Sequence, residues 1–275
     1  MKRIFCMFMS FTLLMLSGCV YSMIPPSGTI PKETTPPVIT EPAETQPVAE
    51  TEPATDPATE PSTEPEKTEH SALYIPDLSV EDVIRYFNEV CLDSEFVNSG
   101  DPSVVQKWVI PIYYILEGDY TDEDIATLEA LVAWLNTVEG FPGIQQTDDF
   151  GLMNLRISFG NQQHMVDLMG NNFYGMDGAV TFWYDYNCIY DATICYRSDI
   201  NQYTRNSVIL EEIYNGLGPI QDTCLRPDSI IYQNYSEPQA LTEIDELILK
   251  LLYHPDILPG MNAAQCEEII RNLYY

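Results

Sequence analysis

The stretch Asn154-Leu155-Arg156-Ile157-Ser158-Phe159 decides the fold class. Leu155, Ile157 and Phe159 alternate with Asn154, Arg156 and Ser158, the period of two expected of a strand with one face in a core. On both sides the period becomes helical. Upstream, Thr121 with Asp124 opens a helix whose apolar stripe is Ile125, Leu128, Leu131, Val132, Leu135 and Val138, stopped by Gly140 and Pro142. Downstream, Asn161 to Met169 reads as a short helix closed by Gly170. Further out, Trp108 to Leu116 is rich in aromatic and β-branched residues and reads as a strand, with Pro111 implying an edge or a bulge. Ala179 to Tyr186 and Ile189 to Tyr196 are two more extended runs, and Ser79 with Asp82 starts an amphipathic helix through Val80, Val83, Ile84, Phe87, Val90 and Cys91. Helices are expected over about Asn206 to Leu217, Glu243 to Tyr253 and Ala263 to Tyr274, the last two opened by Thr242 with Asp245 and by Asn262 with Gln265. Strands alternating with helices favour an α/β or α+β sheet over a bundle, and the fold expected over residues 71–275 is α+β, a mixed sheet with packed helices and a helical C-terminal part.

Two other segments precede that domain. Lys2 and Arg3 are followed by an apolar run from Ile4 to Leu16 and then by Leu16-Ser17-Gly18-Cys19, which reads as an export signal over residues 1–18. The run is shorter than the roughly 20 apolar residues that span a bilayer. Leu16-Ser17-Gly18-Cys19 resembles the lipobox of bacterial lipoproteins. That resemblance implies lipid attachment at Cys19 after cleavage, and an extracytoplasmic chain anchored to the cell membrane. Residues 19–70 are expected to be the lipidated N-terminus and a linker, and from Pro25 to His70 the composition becomes rich in Pro, Thr, Glu and Ala, with a loose repeat in Thr51-Glu52-Pro53, Thr55-Asp56-Pro57, Thr59-Glu60-Pro61 and Thr63-Glu64-Pro65. Such a segment has little apolar surface to offset its ordering entropy and favours polyproline II, so a disordered tether is expected. Fully extended at about 3.1 Å per residue it would reach on the order of 140 Å.

Charge narrows the function classes. The whole chain carries a formal charge of -30, and residues 71–275 hold eight basic side chains. Nucleic-acid backbones would be repelled. An acidic exterior serves solubility, or else attracts cations or a basic partner. Cys91, Cys188, Cys195, Cys224 and Cys266 remain once Cys6 leaves with the signal and Cys19 is modified. Cys91 and Cys266 fall on apolar helix faces, and Cys188 and Cys195 cannot bridge if one extended strand holds both. Cys-x-x-Cys zinc spacing is absent and the chain has three histidines. Asp119, Asp122 and Asp124 lack the alternation of an EF-hand loop and suit a helix N-terminus.

The residues with a chemical reading are Glu211-Glu212-Ile213-Tyr214-Asn215-Gly216-Leu217-Gly218. Ile209, Leu210, Ile213 and Leu217 share one helix face, while Glu211, Glu212 and Asn215 form a polar arc, either a solvated surface or a site. Glu211 and Asn215 stand one turn apart, as the two ligands do in a His-Glu-x-x-His helix that carries a general-base glutamate between them. This helix, then Arg226-Pro227-Asp228-Ser229-Ile230, Leu249-x-Leu251-Leu252-Tyr253-x-Pro255 and Pro259-Gly260-Met261, is similar to the bacterial family called domain of unknown function 2927, and the order of strands and helices before it resembles a zincin metallopeptidase. The resemblance implies a zincin-like scaffold without established activity. By position, Glu212 would be the catalytic general base, and Glu211 and Asn215 would fill the degenerate metal-ligand positions. Neither is histidine, and an amide oxygen is a poor zinc ligand, so no metal or other cofactor is expected.

The expected function is therefore a membrane-anchored cell-surface lipoprotein whose domain binds an envelope protein or a glycan without catalysis. The alternative is an exported hydrolase, acting on peptide or glycan, with Glu212 as general base. A carboxylate pair for glycoside cleavage could come from Asp148, Asp149, Asp185 and Asp191. Capture of a solute for a transporter is disfavoured because one domain lacks paired lobes.

Overall fold

The computed structural model describes residues 71, 73–92, 103–233 and 237–274. The segments expected to be an export signal and a tether, with Cys19, lie outside the described residues. The domain is a mostly parallel, six-stranded sheet with six helices, and its C-terminal part is helical. No helix among the described residues is long and apolar enough to cross a membrane.

Helix α1 (Val80–Cys91) begins at Ser79, whose hydroxyl accepts from the Asp82 amide at 3.1 Å. The run expected from Trp108 to Leu116 is two strands, β1 (Lys107–Trp108) and β2 (Ile112–Gly118). Pro111 has no N–H for the ladder, and the chain breaks there. Asn154 holds the break, donating to the Pro111 carbonyl and accepting from the Tyr113 amide at 2.7 Å. Helix α2 (Asp122–Leu135) has both halves of its capping box at Thr121 and Asp124. Strand β3 (Ile144–Gln146), three residues long, was not legible as a strand and is clamped by the Asn136 amide.

Strand β4 (Leu155–Gly160) leads to α3 (Gln162–Met169) and a short 3-10 turn, Asn171–Phe173. Strands β5 (Gly178–Asp185) and β6 (Cys188–Arg197) form a hairpin whose turn residues, Tyr186 and Asn187, both have positive φ. Three helices follow, α4 (Gln202–Gly216), α5 (Glu243–Leu252) and α6 (Ala263–Tyr274). The parallel order is β1-β6-β4-β2-β3, and β5 lies antiparallel on β6.

The two sheet faces are covered unequally. One carries Ile112, Tyr114, Leu155, Ile157, Phe159, Val180, Phe182, Ala192, Ile194 and Tyr196 into the main core, with α4 lying across β5 and β6. On the other, α3 and the turn after it cover only a small cluster of Met165, Phe173, Met176, Ala179 and Cys195. Cys188 and Cys195 do lie in one strand, and the five described cysteines are unbridged, with Cys91 and Cys266 buried as expected.

Candidate functional site

Helix α4 starts four residues before the expected Asn206. Its first turn, Gln202-Tyr203-Thr204-Arg205, is polar and shows no apolar period, but Asn201 caps it by accepting from the Thr204 amide at 3.0 Å. From Ser207 to Gly216 every residue is buried. A helix buried all round belongs to the core rather than the surface. This corrects the solvated-face reading of the Glu arc. Glu211 is 7% exposed, Glu212 0% and Asn215 1%.

Four neighbours enclose the helix. The Arg205 guanidinium donates to Asp124 of α2 at 2.7 Å, and Tyr214 donates its hydroxyl to the Asp245 carbonyl of α5. Trp108 of β1 donates its indole N–H to the Gly216 carbonyl at 2.9 Å, and Tyr196 of β6 donates to the Ile209 carbonyl at 3.1 Å. Glu212 lies against the backbone of β5. A Cβ at Gly178 would stand 2.4 Å from Val208 Cγ1 and 2.8 Å from Glu212 Cγ, so glycine permits the close approach.

The electrostatics are those of a dry interior. Burial raises the Tyr196 hydroxyl well above its usual value, with the charges of Glu212 and Cys195 adding to it. Burial also pushes the Cys195 thiol up to about 12, Arg156 opposing and Glu212 adding. Asp124 is the contrasting case. Burial alone would raise its carboxyl, but hydrogen bonds from Arg205, the Thr121 amide and Gln202 hold it below its ordinary value.

No cluster of three His, Cys, Asp or Glu that could hold a metal exists among the described residues. His164 is spent on a 2.7 Å hydrogen bond with Ser158 Oγ, and His254 Nδ1 accepts from the Asp256 amide. His70 lies outside the described residues. With a carboxylate and an amide at Glu211 and Asn215, the donor set does not fit zinc. The glycosidase quartet is not drawn into one cleft by its own contacts either. Asp149 accepts from the Gly151 amide in its own turn, while Asp185 and Asp191 sit on neighbouring strands opposite Cys188 and Trp183 respectively.

Residues 80–272 match the family model described as Protein of unknown function (DUF2927). The chain belongs to this family. No curated protein matches it. In this DUF2927 chain, the motifs that carried the resemblance are joints between elements. Ser229 donates to the Asp245 carboxylate at 2.6 Å and accepts from the Tyr86 hydroxyl at 2.8 Å, tying α1 and α5 to the 226–230 segment. Asp245 also accepts from the Thr242 hydroxyl and from the Ile230 amide, and burial raises its carboxyl against those bonds. Tyr253 donates to the Leu217 carbonyl at 2.8 Å, and Gly260, at φ 84°, donates to the Val105 carbonyl.

Two side chains in these joints escaped the sequence reading. Arg205 stands in the polar turn before the helix was expected to begin. Lys107 is 6% exposed, and its ammonium donates to the Leu252 carbonyl at 2.9 Å and to the Ile257 carbonyl, 5.5 Å from the Tyr253 ring centre. Burial lowers it to about 8. A signal existed for neither beyond their rarity in an acidic domain.

Proposed function

We propose that this DUF2927 protein is exported, cut before Cys19, lipidated there and held at the cell membrane, where the tether displays a zincin-like domain that binds an envelope protein or glycan and does not catalyse. The domain's place in the zincin-like group is part of the same proposal. It is supported by a mixed sheet with an antiparallel strand, β5, packed beside the Glu-Glu helix.

One observation carries the non-catalytic part. A general base must come within about 2.6–3.2 Å of the proton it takes, directly or through one water, and Glu212 exposes none of its surface. Its surroundings are the β5 backbone at Gly178, Val208 and Tyr196, the environment of a core residue.

Metal analysis of the purified full-length protein, with assays on peptide and glycan substrates, tests this. The expected result is no stoichiometric zinc and no turnover that Glu212→Gln removes. One zinc per chain together with activity lost in Glu212→Gln would overturn it. Membrane fractionation tests the anchor: Cys19→Ala should release the protein from the membrane fraction, and retention there would refute lipidation at this residue.

A further inference from the structure

Among the described residues, α3 and the turn after it cover part of the second sheet face, and the strip beside them lies largely on the antiparallel β5–β6 pair, the kind of pairing that leaves one face to solvent. Below α3, the second face carries half-buried Thr181 and Trp183 on β5, Asp191 and Thr193 on β6, Arg156 on β4, and Glu117 on β2. The register places these side chains in rungs. Thr181 is directly opposite Thr193, whose other neighbour is Arg156, and Trp183 is directly opposite Asp191. Arg156 is paired with Glu117 at 2.6 Å.

A cleft of about 340 Å³ opens at the top of this strip, lined by Leu168, Met169 and Phe173 on one side and Thr181, Trp183 and Thr193 on the other. That lies near the small end of the range for small-molecule sites. The ladder is also irregular here. Trp183 pairs with Asp191 but Tyr184 pairs with Ile189, so Tyr190 bulges from β6 and is 47% exposed. Bulges increase local twist and re-aim side chains, and they are frequent beside binding sites.

We infer that this cleft and strip bind a saccharide, with an N-acetylhexosamine unit in the cleft. This rests on the reading that the domain binds without cleaving. An indole beside a carboxylate and two hydroxyls suits a ring with one flat C–H face and a rim of hydroxyls, the shape of a pyranose. Thr hydroxyls both donate and accept, and Asp191 accepts, so together they satisfy sugar hydroxyls in either sense. The pairing of Arg156 with Glu117 leaves no unneutralised cation in the strip, which selects against an anionic ligand. Leu168 and Met169, backed by the buried Phe173, form an apolar end that a sugar bearing only hydroxyls would leave unfilled and an acetamido methyl would fill. Asp191 stands opposite Trp183 on the strip next to the cleft, and burial holds its carboxyl above its ordinary value.

Titration of the full-length protein with the trimer of N-acetylglucosamine, followed by tryptophan fluorescence and calorimetry, tests the inference. Saturable binding is expected, weakened about tenfold in Trp183→Ala and several-fold in Thr193→Val. Trp183→Phe should keep binding but lose the fluorescence change, since Trp108 is buried in the main core and Trp134 stands on α2, neither of them in the lining of the cleft. Maltotriose, which lacks acetamido groups, should bind more weakly. Absence of saturation at about 10 mM, or affinity unchanged in both Trp183→Ala and Thr193→Val, overturns the site and leaves the non-catalytic reading standing. Cleavage of the bound trimer overturns the non-catalytic reading and leaves the site. Equal affinity for maltotriose overturns the acetamido assignment.

Discussion

The face packed by α4 and the strip of the other face that lies beyond α3 treat polar side chains in opposite ways. On the face packed by α4, each polar group with a described partner is locked into a joint between elements, as Arg205 is to Asp124 and Asp245 is to Ser229. On the face only partly covered by α3, Thr181, Trp183, Asp191 and Thr193 stand half-buried in a row beside the cleft. The difference follows from what water can reach. A polar group sealed from solvent loses its hydration and must regain it from protein partners, whereas a half-exposed one keeps water as an alternative. The closed face therefore carries stability, and the open one has room for a ligand.

The strongest way to break this contrast is at the ion pair between α4 and α2. Asp124 is 1% exposed and Arg205 4%, and Arg205 also donates to the Ser198 carbonyl at 2.9 Å. Removing one partner leaves a buried charge uncompensated, at about 3–5 kcal/mol. Arg205→Ala should lower the denaturant midpoint by a corresponding amount, while the pair Arg156–Glu117 on the open face, with side chains 38% and 29% exposed, is worth about 0–1 kcal/mol. Equal losses in Arg205→Ala and Arg156→Ala would erase the distinction between the faces.

Lys107 sharpens the contrast through pH. Its ammonium titrates at about 8 in the fold and near 10.5 when unfolded, because burial disfavours the charge. Between those values the unfolded chain holds a proton that the folded chain has released, so Lys107 makes stability rise with pH across that window. Below about pH 8 both states are charged and the burial penalty is fully present. Wild type compared with Lys107→Met, by denaturant unfolding at pH 7 and pH 10.5, should therefore gain stability relative to the variant as pH rises. Taking the difference cancels the contribution of the buried tyrosines, which runs the other way. A difference that stays flat or falls would show that the ammonium is solvated where it sits.

How much of this was legible follows from range. The alternation of Leu155, Ile157 and Phe159 and the paired caps at Thr121 with Asp124 and Thr242 with Asp245 are local signals, and those elements formed where expected. Ile144–Gln146 is too short to show a period, and the first turn of α4 is polar on all sides, so neither could be read from pattern. The Glu arc misled for a different reason. Periodicity reported that Glu211, Glu212 and Asn215 share a side of the helix, correctly, but what lies against Glu212 comes from β5, more than twenty residues earlier. The open strip was half visible. Thr181 and Trp183 alternate with Val180 and Phe182, the half-buried pattern of an antiparallel edge strand with one face toward solvent.

The smallest expected effect is the most discriminating, because it asks whether the open face contributes to folding at all. Thr181 lies on the antiparallel edge strand with its side chain toward the cleft, and Ser229 lies in the closed interior, 0% exposed and bonded to Asp245 and Tyr86. Thr181→Val keeps the shape and the β-branch, so on a face where water serves the hydroxyl the unfolding free energy should move by no more than about 0.5 kcal/mol. Ser229→Ala should cost about 1–3 kcal/mol, because the Asp245 carboxylate and the Tyr86 hydroxyl would lose a partner that water cannot replace. If Thr181→Val proved as damaging as Ser229→Ala, the strip would be another joint of the fold, and its half-burial would reflect an internal partner instead of room left for a ligand.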